Sequence, residues 1–206
     1  FFRMHHEARQ QTMVEQFWAP IFATKQPVLI CLAKRVTYRP SLELYQRYSD
    51  SHPGTFQTGL EVLNQPLPMD KKAKIFWGDI HLVSDYGVSA GDVLSAVDFA
   101  TMLGQLGKPS QVRVGADCSF EDLRNSPQIL VGAFNNSWTL KLTSGLHFAF
   151  VDVGKNQHAE IHEQTAGGRI WHTIRPSRSP KTGEDSAIVA RLLNSQTGQF
   201  TIIAGG

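Results

Sequence analysis

Residues 89–115 read SAGDVLSAVDFATMLGQLGKPSQVRVG, and this stretch decides the fold. Ser89 is an N-cap residue with an acid, Asp92, three positions on, and Val93, Leu94, Val97, Phe99, Ala100, Leu103 and Leu106 follow at helical spacing. Gly107 and Pro109 are a stop, and Gln111 to Gly115 read as a strand. Helix, glycine stop and strand in that order make an α/β unit.

The pattern repeats downstream, where Ser119 to Asn125 reads as a short helix, Pro127 as a break, and Ile129-Leu130-Val131-Gly132-Ala133 as a buried strand. Successive units of this kind place their strands parallel. Upstream, Pro27 introduces Val28-Leu29-Ile30-Cys31-Leu32-Ala33, an apolar run without alternation, as in a central strand covered on both faces. Before it, Met4 to Trp18 reads as an amphipathic helix limited by Pro20. Between Arg39 and Asp70 the text is punctuated by Pro and Gly, with a short helix at Ser41 to Tyr48 that turns Leu44, Tyr45 and Tyr48 inward. Residues 74–77 and 80–83 read as strand interrupted by Gly78 and Asp79.

After Asn136 a brief helix runs through Leu142. Beyond Gly145 come alternating segments, His147 to Val153, His158 to Glu163, Arg169 to Ile174, Ala187 to Leu193 and Phe200 to Ala204, with Asn194 to Gly198 as a hairpin loop. The expected fold is α/β: a three-layer mixed sheet, parallel in the first half and antiparallel in the second. Residues 1–206 read as one domain, since 206 residues at 41% hydrophobic content bury a full core. A start at Phe1 rather than Met reads as a fragment of a longer chain.

The charge balance, 20 Lys and Arg against 18 Asp and Glu, leaves a net +2, too weak a field to predict nucleic-acid contact. No run of 18 apolar residues is present, so a membrane enters only through a segment upstream. Cys31 and Cys118, far apart and without a CxxC pair, exclude a zinc ribbon and leave room for one disulfide. No GxSxG elbow, P-loop or GxGxxG follows any strand, so no cofactor is expected.

In an open α/β sheet, ligands bind beyond the carboxyl ends of the parallel strands, where loops and helix N-termini converge. That rule selects Lys34 after the first strand, Asp117 and Ser119 after the second, and Asn135, Asn136 and Trp138 after the third. Gly205 and Gly206 join them if the last strand is also parallel. Asn135 and Asn136 leave a buried strand where a helix begins, which suits either a polar ligand or the helix cap. His158, Glu160 and His162 share one side of a strand, with His172 approaching from a neighbour; this is a metal set or the polar face of an antiparallel strand. Asp79, His81, Asp85, Asp92 and Asp117 read as solvated or capping groups.

The segments Phe17-Trp18-Ala19-Pro20, Pro27 to Cys31, Asp122-Leu123-Arg124 through Pro127 to Asn135-Asn136-Ser137-Trp138-Thr139, and Ala187 to Arg191 with the closing Gly205-Gly206 together resemble a bacterial family. Its members are sensor-like α/β domains found after a winged-helix DNA-binding domain and a membrane helix in one-component regulators. The resemblance implies a sensory domain, membrane-tethered or extracytoplasmic, whose ligand changes the state of an attached module. These motifs shape the fold and carry no catalytic group. The expected function is therefore a non-enzymatic ligand-sensing or interaction domain that binds a small polar or anionic molecule in the crevice, with a homodimer as a further partner state. The alternative is a hydrolase or transferase of a small metabolite using the same crevice with Asp117 or a histidine as base.

Overall fold

A computed structural model describes residues 12–54, 67, 74–83, 87–115, 118–153, 159–173 and 186–206. In chain order the elements are α1 (Met13–Ala23), β1 (Val28–Leu32), β2 (Thr37–Pro40), α2 (Leu42–Ser51), β3 (Ile80–Val83), α3 (Ala90–Gln105), β4 (Ser110–Val114) and α4 (Phe120–Asn125). They continue with β5 (Gln128–Val131), α5 (Ser137–Thr143), β6 (Phe148–Asp152), β7 (Ala159–Glu163), β8 (Ile170–Thr173), β9 (Ile188–Leu193) and β10 (Phe200–Gly205). The chain forms two compact units, residues 1–34 with 88–206, and residues 35–87.

The larger unit is built on a five-stranded sheet in the order β4-β1-β5-β10-β9. β1 pairs parallel with both β4 and β5, β10 is parallel to β5, and only β9 runs antiparallel. Every residue of β1 and β5 is buried, which is why both read as apolar runs. Val28, Ile30 and Leu32 point to one face, where Ala96 and Leu103 of α3 and Ile21 of α1 close a core. Leu29 and Cys31 point to the other, against Leu123 of α4 and the Trp138 and Leu142 side chains of α5. This is a three-layer α/β fold. Helix placement follows from strand order: the chain steps one way from β1 to β4 and back across β1 to reach β5, so right-handed crossovers put α3 and α4 on opposite faces.

The antiparallel strands of the second half divide. β9 and β10 form a hairpin that joins the central sheet, whereas β6, β7 and β8 make a separate three-stranded antiparallel sheet. One side of that sheet carries Phe150, Ile161 and Trp171 and packs on Ala133 and Ile188, so its strands bury a face without hydrogen bonding to the main sheet. The expected parallel first half and antiparallel second half are both present, with the antiparallel strands divided between the central sheet and this separate one.

Pro20 does not end the first helix, which runs on to Ala23. A proline inside a helix leaves the carbonyl four residues earlier without its donor, here that of Gln16. Arg191 of β9 supplies the substitute: its Nη1 donates to the Gln16 and Phe17 carbonyls, both at 2.6 Å, and its guanidinium lies over the Phe17 ring. Arg191→Met is expected to fray this helix and lower stability by about 1–2 kcal/mol in denaturant titration. A second consequence concerns Thr201, fully buried on β10 with an Oγ1 that has no hydrogen-bond partner. Thr201→Val keeps shape and β-preference while removing that orphan, so it should raise stability by about 1 kcal/mol.

In the smaller unit β2 and β3 form an antiparallel pair, and Ser41 caps α2 by accepting from Leu44 N at 3.1 Å. Leu44 and Tyr45 are buried as expected, while Tyr48 stacks on His52 near the surface. Residues 77–79 make a 3-10 turn ahead of β3. The Asp79 carboxylate accepts from Phe76 N and pairs with Arg47, and these two contacts hold its pKa below the usual range. Among the described residues no helix is long and apolar enough to cross a membrane.

Candidate functional site

The chain leaves β1 toward β4 and leaves β5 toward β10, in opposite directions across the sheet. The connections therefore diverge between the carboxyl ends of β1 and β5, the position at which open α/β sheets take their ligands. At this point lies Gly132, at φ +105°, a conformation that L side chains rarely adopt. A Cβ at Gly132 would lie 2.9 Å from the Ala33 Cβ, 3.0 Å from Asn135 Oδ1 and 3.4 Å from Asp92 Oδ2. Four elements of the chain thus converge on one glycine: the end of β1, the end of β5, the turn before α5, and the first turn of α3. β10 closes in from the side, since a Cβ at Gly205 would lie 2.7 Å from the Gly132 carbonyl.

Asp92 and Asn135 are polar groups that meet over Gly132. Asn135 Nδ2 donates to Asp92 Oδ2 at 3.4 Å, a long bond that leaves most of the carboxylate's acceptor capacity and the amide oxygen unspent. The sequence reads Asp92 as a solvated or helix-capping group. Ser89 does occupy the N-cap position, but its side chain makes no capping bond, and Asp92 is turned to Asn135 instead. The signal for Asp92 is topological: α3 is the last element before β4 in the crossover from β1, so its first turn lies at the carboxyl edge of the sheet.

The other selected residues divide by what their side chains already do. Asn136 is buried and fully engaged, with Nδ2 donating to the Val131 carbonyl at 3.3 Å and Oδ1 accepting from Trp138 N and Thr139 N. It is the cap of α5. Ser119 likewise caps α4 in a reciprocal box with Asp122, whose pKa is lowered first by the Ser119 hydroxyl and then by the Ser119 amide. Trp138 stacks on Phe120 and has the Lys141 ammonium 5.6 Å over its ring. Lys34 is exposed, its stem lying along Gly115, where a Cβ would sit 2.7 Å from the Lys34 Cβ. Asp117 lies outside the described residues.

A disulfide joins Cys31 of β1 to Cys118, with Cα atoms 6.1 Å apart, and ties the residue ahead of the Ser119 cap of α4 to the central strand. Both half-cystines are buried in the core beneath α4. The expectation of a histidine cluster takes a different form on the separate sheet. Glu160 accepts from His162 Nε2 at 2.6 Å and from His172 Nδ1 at 2.9 Å, while His158 lies outside the described residues. Among the described residues no group of three or more His, Cys, Asp or Glu is placed to hold a metal ion.

The His162 hydrogen bond, and next the charge of His172, hold the Glu160 carboxyl below its ordinary 4.5 against the opposing effect of burial. A depressed carboxyl stabilises the fold fully above its unfolded value and loses that share as pH falls through its folded value. Glu160→Gln should therefore lower the melting temperature at neutral pH and leave a smaller difference from wild type below pH ~4, seen by melting across an acid series. Compared with known proteins, the chain matches no family model, no curated protein and no solved structure.

Proposed function

We propose that this chain is a ligand-sensing domain that takes a small polar molecule between the carboxyl ends of β1 and β5. The observation that carries this reading is the Asp92–Asn135 pair meeting over Gly132 at the divergence point of the sheet. A carboxylate beside a primary amide offers acceptors together with a donor, a set that suits a molecule bearing hydroxyl or amino groups. An anion would meet the Asp92 charge at close range, so the pair favours a neutral or cationic ligand over an anionic one.

Three supports surround this site. The Asn136 and Ser119 caps fix the turns on either side, so ligand binding costs little ordering. The Cys31–Cys118 bond suits an oxidising compartment, in keeping with a domain held outside the cytoplasm. The resemblance to the sensory part of one-component regulators supplies the readout: a ligand that prefers one state of the domain shifts the attached module by that preference.

Thermal-shift screening against amino acids, polyols, sugars and polyamines tests the reading, because a ligand of the folded state raises the melting temperature by mass action. The hit should lose at least about tenfold in affinity on Asn135→Ala and on Asp92→Asn, with the unliganded melt nearly unchanged. A folded chain that binds nothing in the panel, or whose hit ignores both substitutions, sinks the proposal.

A further inference from the structure

We infer that the open edge of the central sheet is a self-association surface, on which β4 pairs antiparallel with β4 of a second copy of this chain while the outer flank of α3 packs on its counterpart. β4 is the last strand of the sheet and, among the described residues, pairs only with β1. The Val28 amide donates to the Pro109 carbonyl, which fixes the alternation along β4: backbone groups of Gln111 and Arg113 turn to β1, and those of Ser110, Val112 and Val114 turn outward. An unpaired edge of this kind is a template for another strand.

The helix above the edge is prepared in the same way. Trp18 of α1 meets Phe99 of α3, and α1 is bound at its Gln16 and Phe17 carbonyls by Arg191 of β9, the strand at the opposite edge. α1 therefore covers the side of α3 that looks toward β9. The remaining flank overhangs β4, and it carries Val93, Leu94 and Val97 at 42%, 65% and 55% exposure, continued by Thr101 and Gly104, with the exposed Asp98 at its solvent margin. Val112, 44% exposed, extends this apolar strip onto the strand, since its register partner Ile30 points into the core beneath α3.

A second copy fits this surface better than an unrelated strand. Two-fold pairing centred on Val112 sets Ser110 against Val114 and Gln111 against Arg113, so an amide faces each guanidinium and no like charges oppose. About six outward backbone hydrogen bonds are then made across the axis. The helices approach as well: α3 packs chiefly on β1 and β4 and to a lesser extent on β5, so with strands ~4.8 Å apart its two-fold image falls roughly 10–12 Å away, close to the spacing of two packed helices.

Sedimentation equilibrium of the 206-residue chain should show a dimer. Val97→Glu charges the helix flank, and Val112→Pro removes an outward N–H while leaving the bonds to β1; each should raise the dimer dissociation constant at least about tenfold with an unchanged circular dichroism spectrum. Hydrogen exchange on the unsubstituted chain decides the matter without variants. The Ser110, Val112 and Val114 amides should be protected at high concentration and exchange quickly on dilution. A chain that stays monomeric at high concentration, a dimer that survives both substitutions, or outward amides that exchange fast at every concentration overturns the inference.

Discussion

Reducing the Cys31–Cys118 disulfide is expected to lower the melting temperature by on the order of 10 °C, a larger loss than a typical surface substitution produces. The half-cystines are 87 residues apart in sequence, so the bond closes a long loop in the unfolded chain. Chain-entropy reasoning assigns a loop of that length about 4–5 kcal/mol. Residues 35–87, the whole of the smaller unit, lie inside the loop, so the bond restricts their unfolded ensemble although neither cysteine belongs to them. The check is melting with and without reductant, beside a Cys31→Ser/Cys118→Ser variant whose melt should ignore reductant. A melting temperature that stays unchanged once two free thiols are titrated would show that core packing alone holds the loop.

The same bond bears on the site. Cys118 immediately precedes the Ser119 cap, so the disulfide anchors the start of α4 to β1, beside the proposed binding position. Reduction should therefore weaken ligand binding as well as folding. At a temperature where the reduced chain is still folded, the affinity loss separates this anchoring of α4 from the bond's share of global stability.

How far the sequence foretold this fold depends on where the deciding interaction lies along the chain. β1 and β5 are recognisable because burial on both faces forces an apolar run, and α3 because its periodicity extends from Ser89 to a glycine stop at Gly107, φ +72°. The passage of α1 through Pro20 is not readable, since the donor that replaces the lost N–H comes from Arg191, 175 residues away. The separation of β6, β7 and β8 from the central sheet is equally non-local. Their alternating pattern states that one face is buried and leaves open what it is buried against.

The site shows the same division. Asn135 is selected by a rule about strand ends, which needs only the order of elements. Asn136 and Ser119 satisfy the same rule yet spend their side chains on helix caps, the ordinary use of these residue types. Asp92 is the converse case. Its spacing from Ser89 matches a capping box, and only the three-dimensional meeting with Asn135 turns it into a crevice group. Local pattern and site membership compete for the same polar residues here, and tertiary placement decides between them.

Gly132→Ala is the substitution expected to damage both fold and site together. The added methyl enters at φ +105° and meets a backbone-anchored Cβ at 2.9 Å on Ala33 and the Asn135 Oδ1 at 3.0 Å. The conformational strain costs about 1–3 kcal/mol and the overpacking a similar amount, because Ala33 is on the end of a buried strand and has no flexible end to swing away. Asn135 yields by moving away from Asp92, so relief of the clash breaks the polar pair on which the proposed site rests. The expected result is a stability loss of about 2–5 kcal/mol in urea titration, with binding abolished even where the variant is folded. Gly198→Ala supplies the comparison: at φ +70° it carries the backbone strain, but nothing lies within 4 Å of its added Cβ, so it should lose stability modestly and keep full affinity. Equal losses of stability and affinity in the two variants would mean that strain alone matters and that the crowding around Gly132 has no part in the site.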